Sequence, residues 1–446
     1  MPLFPSNIGW SEQLDLLLVS SAALLTYVLA MRLQKLGLVI HLTWAHSLHA
    51  RVHDGTPSQQ CMSGTLGPLD PRTSYIVCPL LIDDDTSFER HSWHPWTFPP
   101  VCIQAENGVN SKLCTFTYAN LRGESGISIV TTPEIASAGM GVLEDPDPQW
   151  ANWERGYTYS FSERPPYEIK DIEGKGLGVV ANRSIHRGEV IMTRYPVILR
   201  MIDTMPWKHQ DVLKLLHRAG IQLPTKEKAG MMSLANSKGG YIVDDIMNTN
   251  SFGVLLDGID HQGLYLDVSR INHACKPNLF SRFSSTTLAM EVVAYYEIKE
   301  GEELTFSYTP LNLLSEQRQA LIREWGFNCT CSLCASHQDL VVSDRRQASI
   351  QRLLEELENP KLRSDTAINE RVLKILELCH DEGLEAQIGE FYMIIADIYF
   401  SVGDLDSAKS YGELAVKELR YYAGYDNERT TRAIMFLEGL DKRLRI

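Results

Sequence analysis

The chain has 446 residues, of which 44% are hydrophobic and 22% charged, with a formal net charge of -14. Such values exclude a long compositionally disordered tract and give enough length for about two to four domains. No basic stripe accompanies the acidic balance, which argues against direct nucleic-acid binding and suits a basic partner such as a lysine-rich peptide.

In chain order, residues 1–40 form a hydrophobic N-terminal segment. Its core, LLLVSSAALLTYVLAM, is sixteen uncharged residues, Leu16–Met31, against the roughly 20 a spanning helix needs. Glu12 and Asp15 precede it, and Arg32 and Lys35 follow. This charge order favours a signal anchor over a cleaved signal, so membrane association through residues 14–31 is expected, with a cleaved signal and a buried helix left open. Residues 41–160 read as irregular, rich in Pro, Gly, Ser and Asp. Within them CTFTY and GISIV flank a Gly-containing turn, as in a β-hairpin. Cys102 and Cys114 lie near enough to bridge in an oxidising compartment.

From Pro165 the texture changes. Short β-branched runs alternate with Gly turns through PPYEIKDIEGKGLGVVANRSIHRGEVIMTRYPVIL, which predicts several small strands. A helical insert is expected at about 203–245. Strand signals return at LYLDVSRI, LAMEVVAYYEI and ELTFSY. After Cys334 the apolar spacing is helical to the end, giving a helical domain over 340–446. Around SVGDLDSAKSYGELA it resembles one tetratricopeptide-type helix–turn–helix, and a single such unit is not an array.

Nine cysteines cannot all pair within one chain. Cys329, Cys331 and Cys334 fall within six residues, FNCTCSLC. Tetrahedral zinc takes four N or S ligands, so three close thiolates leave one corner for a residue from elsewhere. Cys275 is the best candidate, because Cys379 sits on an apolar helix face. Four thiolates leave no open position, so the zinc would be structural. Asn328-Cys329-Thr330 matches the glycosylation sequon. A glycan there would obstruct the metal, which favours the cytoplasmic or nuclear side for this part of the chain.

Five motifs now stand in order: GKGLG (174–178), NSF (250–252), NHACKPN (272–278), GEELTFSY (301–308) and FNCTCSLC (327–334). Together they resemble a SET-domain protein lysine methyltransferase with a cysteine-rich post-SET segment. The likeness covers residues 165–335, in the SET-and-MYND-like branch but without MYND zinc-finger spacing upstream. It implies an α+β fold: a SET domain over 165–310 made of small sheets with a threaded loop, a post-SET zinc segment over 311–337, and the helical tail.

The resemblance also implies S-adenosylmethionine as methyl donor. Gly174, Lys175 and Gly176 would approach it through backbone, and Asn250 and Asn272 would contact its amino-acid and ribose parts. The backbone of His273 would meet the adenine edge, and Phe327 would stack on the ring. Tyr308 would be the central catalytic group. Tyr265, and more loosely Tyr241, would line the lysine channel. Phe306 would limit how many methyl groups fit. Zinc would be held by Cys275, Cys329, Cys331 and Cys334. Glu173 departs from the family, placing an acid near the cofactor's carboxylate unless Lys175 offsets it. The expected partner is a protein with an accessible lysine, the chain itself acting as a monomer. The competing expectation is a non-catalytic SET module that works as an interaction scaffold.

Overall fold

The computed structural model describes residues 95–106, 111–121, 126–139, 141, 164–359 and 365–444. Residues 14–31 lie outside them. Among the described residues no helix is long and apolar enough to cross a membrane. The transmembrane expectation is corrected accordingly and plays no further part.

The described chain is α+β, as the motifs implied. Thirteen strands among the described residues form three sheets. The largest runs in the order β1 (Val101–Gln104), β2 (Lys112–Tyr118), β3 (Ile127–Thr131), β7 (Ile198–Met201), β9 (Ile259–Leu264) and β8 (Phe252–Leu256). β2 and β3 are the hairpin foreseen from CTFTY and GISIV, paired from Cys114↔Thr131 to Tyr118↔Ile127. Cys102 and Cys114 face each other across β1 and β2 and are disulfide-bonded.

The period-2 geometry of strands sends neighbouring residues to opposite faces. Ile198 packs with Leu113, Val130 and Leu264 on one face, against Leu215, Leu216 and Ile246 from the insert helices His209–Ile221 and Ile242–Asn250. Leu199 packs with Phe116, Ile127 and Ile129 on the other, against Val179, Met192, Val292 and Leu304 of the smaller sheets. Both faces of the sheet's centre are therefore buried, which explains why β3 reads as an apolar run instead of a clean alternation. Between β9 and the NHACKPN segment, LYLDVSRI is not a strand: Val268–Arg270 turns as a short 3₁₀ helix.

The second sheet has the order β10 (Asn272–His273), β13 (Glu303–Phe306), β5 (Gly176–Ala181) and β4 (Tyr167–Ile172). It brings GKGLG, NHACKPN and GEELTFSY side by side. The third joins β11 (Leu279–Phe283), β12 (Met290–Ala294) and β6 (Val190–Arg194).

The C-terminal helices include His337–Glu358, Asp365–Glu382, Ile388–Val402, Leu405–Tyr422 and Glu428–Leu444. Gly403 turns the third onto the fourth with a φ of 88°, the left-handed geometry that ends many helices. Gly389 and Gly412 let helices meet closely: a Cβ there would stand 2.7 Å from Leu419 and Leu437 respectively. The bundle touches the third sheet through Phe280, Tyr295 and Tyr422, whose ring centroids lie 4.8 and 4.9 Å from that of Phe280.

Beside this contact, Asp426 Oδ2 accepts from Ser284 Oγ at 2.8 Å, Thr286 N at 2.9 Å and Thr286 Oγ1 at 2.8 Å. It clasps the β11–β12 loop from 140 residues away. Asp426→Ala is expected to lower unfolding stability by about 1–3 kcal/mol, since a charged acceptor serving several donors is removed. A urea titration checks it, and an unchanged midpoint would show the clasp carries no stability.

Candidate active site and metal centre

The sulfurs of Cys275, Cys329, Cys331 and Cys334 all lie within 4.8 Å of one another. Cys275 Sγ is 3.8 Å from Cys329 Sγ and 3.5 Å from Cys334 Sγ. Four sulfurs at about 2.3 Å from one zinc ion would stand about 3.8 Å apart, so the donor set fits that ion. Local structure builds the cluster. Gly326, at φ 84°, turns the chain out of the short helix Arg323–Trp325. Cys331 then caps the helix Ser332–Ala335, which carries Cys334.

Backbone amides support the sulfurs, with Cys275 N donating to Cys331 Sγ and Cys331 N to Cys329 Sγ, each at 3.5 Å. Gln319 binds from both ends of its amide. Its Nε2 donates to Cys334 Sγ at 3.4 Å and Cys329 O at 3.1 Å, and its Oε1 accepts from Cys329 N at 3.1 Å. Hydrogen bonds from Cys275 and Cys329 depress the Cys331 thiol, while the Cys275 thiol, bonded to Cys329 and Cys331, is pushed up. A divalent cation held by the four sulfurs would stabilise all of them as thiolates.

His273 ties the cluster to Tyr308. Its Nδ1 accepts from Tyr308 N at 3.0 Å, and Nε2 lies 3.4 Å from Cys275 Sγ. Acceptance at Nδ1 fixes the proton of the neutral ring on Nε2, where it faces the sulfur. Burial pushes this imidazole down to about 4. The resemblance assigned His273 only a backbone role; its ring is a bridge that sequence reasoning missed.

Tyr308 donates its hydroxyl to Ile271 O at 2.9 Å. Burial raises the phenol above its usual range, so it stays protonated at neutral pH. With its proton committed to a carbonyl, Oη offers only its lone pairs to a bound group. The rings of His273 and Trp325 lie 5.4 and 5.6 Å from that of Tyr308, and Phe327 stands 6.4 Å from His273. Phe327 is 39% exposed. Trp325 was not foreseen. Its Nε1 donates to Thr249 O at 3.2 Å, beside Asn250.

The glycine turn joins the same place. Gly174 and Gly176 both have φ of 73° with open space where a Cβ would go, so backbone conformation and not crowding demands them. Lys175 Nζ reaches Glu303 Oε2 at 2.5 Å, and Asn272 Nδ2 donates to Glu303 Oε1 at 3.1 Å. Lys175 is thus already paired, by a second acid that sequence reasoning overlooked. Asn278 repeats the stitching lower down: its Oδ1 accepts from Thr305 N at 2.8 Å and its Nδ2 donates to Glu303 O at 2.9 Å. This gives the last Asn of NHACKPN a physical purpose.

At Gly178 a Cβ would stand 2.6 Å from Asn272 Nδ2 and 2.6 Å from Ile172 Cγ1. With Asn272 at the cofactor as the resemblance implies, Gly178→Ala is expected to displace the Asn272 amide and weaken cofactor binding at least about tenfold, the equivalent of about 1.4 kcal/mol. Calorimetry against the wild type checks it; equal affinity would mean Asn272 does not need its present position.

Other expected site residues stand further back. Asn250 spends its amide hydrogens on Ala235 O at 2.7 Å and Ile246 O at 2.8 Å, which fixes the end of the insert helix. Tyr265 corrects its expectation. It is wholly buried and gives its hydroxyl to Leu288 O at 3.0 Å, so it backs the wall instead of lining a channel. Phe306 is 6% exposed, edge-on to Phe252 at 6.5 Å. Tyr241 is exposed at the start of the helix Ile242–Asn250.

Residues 176–309 match the SET domain family. The histone-lysine N-methyltransferase set5 of Schizosaccharomyces pombe is 22% identical over 277 residues, 61% of this chain and 84% of that protein. A SET and MYND domain-containing protein of Dictyostelium discoideum is 40% identical over 81 residues, 18% of this chain and 23% of that protein. The mouse histone-lysine N-methyltransferase SMYD3 is 33% identical over 104 residues, 22% of this chain and 24% of that protein. This chain therefore spans most of the fission-yeast relative but only about a quarter of the other two. NHACKPN and GEELTFSY, with Cys275, lie within the matched segment, GKGLG straddles its start, and Cys329, Cys331 and Cys334 lie beyond its end: residues 176–309 of this chain carry a SET domain.

Proposed function

We propose that the protein transfers a methyl group from S-adenosylmethionine to a lysine side chain of a protein, and that Cys275, Cys329, Cys331 and Cys334 hold a structural zinc ion. One observation carries the reading: Tyr308, its phenol proton held by Ile271, stands within one ring cluster with His273 and Trp325, with Asn272 adjoining His273 and Phe327 next along. Residues 174–178, 272–273 and Phe327 are the proposed cofactor contacts, and the sulfonium of the bound cofactor would supply an electrophilic methyl carbon.

The attacking amine must be neutral. Lysine with an ordinary pKa of about 10.4 needs about 4.6 kcal/mol to lose its proton at pH 7. A wall of aromatic rings favours the neutral amine by desolvation. Tyr308 Oη then accepts an N–H of that amine and orients its lone pair, because its own hydrogen points to Ile271. The four-thiol cluster holds residues 326–335 against 275, which keeps Phe327 near His273. An acidic chain suits a basic protein substrate, and its likeness to histone-lysine N-methyltransferases points to the nucleus or cytoplasm.

The experiment is transfer of a labelled methyl group from S-adenosylmethionine to a histone mixture and to a lysine-rich peptide by the zinc-loaded chain. Label on lysine supports the reading. Cofactor binding without transfer to any lysine acceptor would support the scaffold alternative, and no cofactor binding would remove the catalytic reading altogether.

A further inference from the structure

A cavity of about 450 Å³ lies behind the thiol cluster, between residues 275–278, the helix Ser315–Ile322 and the first two C-terminal helices. Its size is in the range of small-molecule sites. Two of its lining side chains, Arg318 and Gln347, are each 2% exposed. Arg318 Nη1 donates to Leu313 O, and Gln347 Nε2 donates to Leu311 O at 3.1 Å. One edge of each group is thereby anchored to the same loop. The other edge has no partner: Arg318 Nε and Nη2, and Gln347 Oε1, make no hydrogen bond.

An unpaired buried guanidinium edge is costly and needs a reason. Nε and Nη2 form the fork that matches a carboxylate through two parallel bonds. Gln347 Oε1 wants an N–H. Leu311, Leu333 and Leu384 supply apolar wall. The acids present are already engaged. Glu382 bonds Ser343 at 2.7 Å and Arg346 at 3.2 Å, and Asp381 meets Arg346 at 3.3 Å. Glu385 accepts from Tyr296 at 3.3 Å. These acids would still repel a multiply charged phosphate, so a single carboxylate fits better.

We propose that this cavity binds a carboxylate with a neighbouring N–H and an apolar side chain, either a free amino acid of leucine size or the C-terminal residue of a peptide. Arg318 holds the carboxylate, Gln347 accepts the N–H, and the leucines enclose the side chain. Cys275, Pro277 and Asn278 also line the space, so the ligand touches the back of the segment whose front carries Asn272 and His273.

The test is calorimetry on the zinc-loaded full chain with leucine, N-acetyl-leucine and N-acetyl-leucinamide. Saturable binding of leucine identifies a free amino acid, and binding of N-acetyl-leucine without leucine identifies a chain end. In either case the amide is expected to bind at least about tenfold more weakly. Gln347→Leu, with native zinc content, is expected to weaken the bound acid at least about fivefold, and Arg318→Lys at least about tenfold by losing the fork. No saturable binding of either acid overturns the proposal, as does equal binding of the amide. Undiminished affinity in a folded Gln347→Leu protein overturns the placement. Should the Arg318 variant fail to fold, the amide comparison on the native chain still decides.

Discussion

Tyr308→Phe is expected to reduce methyl transfer by about 10²–10⁴-fold, the range spanned by a positioned proton-handling group. The variant keeps the ring, so its packing against His273 and Trp325 at 5.4 and 5.6 Å survives. It loses Oη, the acceptor proposed to orient the amine. It also leaves Ile271 O without its donor, which costs about 1–2 kcal/mol of stability. The expected pattern is therefore a large fall in kcat, little change in cofactor affinity, unchanged zinc and a modest drop in Tm. Single-turnover transfer and a thermal melt measure the two parts. Turnover equal to wild type would remove Tyr308 from the reaction and leave it a packing residue.

Cys275→Ser is expected to be more damaging to structure. The residue supplies the sole sulfur among the four that comes from outside residues 329–334. Structural zinc in small peptides is worth about 10–16 kcal/mol of folding free energy, and with one thiolate missing most of that is lost. Zinc content should fall below one per chain. Residues 326–335 should exchange their amide hydrogens rapidly, and Phe327, which shares that segment, should leave the proposed cofactor position. Elemental analysis and hydrogen exchange test this together. A full equivalent of zinc in the variant would mean that another group completes the site. His273 Nε2, 3.4 Å from the same sulfur, would also lose its neighbour, so Tyr308 should feel the change through Nδ1.

How much of this was legible in advance depends on what kind of signal a residue leaves. Cysteines at close spacing point to a metal-type thiol cluster because few other roles need three thiols in six residues, and Cys275 as its fourth member followed by elimination. The hairpin at 112–131 was legible from β-rich runs and a turn, but its place in the largest sheet was not. β3 pairs with β7 in parallel, and a parallel partner leaves no local mark in sequence. LYLDVSRI deceived because apolar alternation is shared by strands and by tight 3₁₀ turns. Glu303, Gln319 and Trp325 were invisible for another reason. Each acts on a residue distant in sequence: Glu303 on Lys175 and Asn272, Gln319 on Cys329 and Cys334, Trp325 on Thr249. Spacing rules see ligands of one ion; they do not see the groups that orient those ligands. Tyr265 shows the converse error, a residue carried over by likeness whose hydroxyl proves to be committed to Leu288 O.

The parallel join of β3 to β7 also governs which fragments of this chain can be handled in isolation. A recombinant piece beginning at residue 176, where the family match starts, would strip β1, β2 and β3 from the sheet. Ile198–Met201 would then present a raw row of amides and carbonyls, flanked by the uncovered faces that Leu113, Val130, Phe116 and Ile129 now shield. Exposed apolar edges of that kind recruit other chains and drive aggregation. Soluble material for crystallisation or assay should therefore retain the polypeptide from Val101 onward.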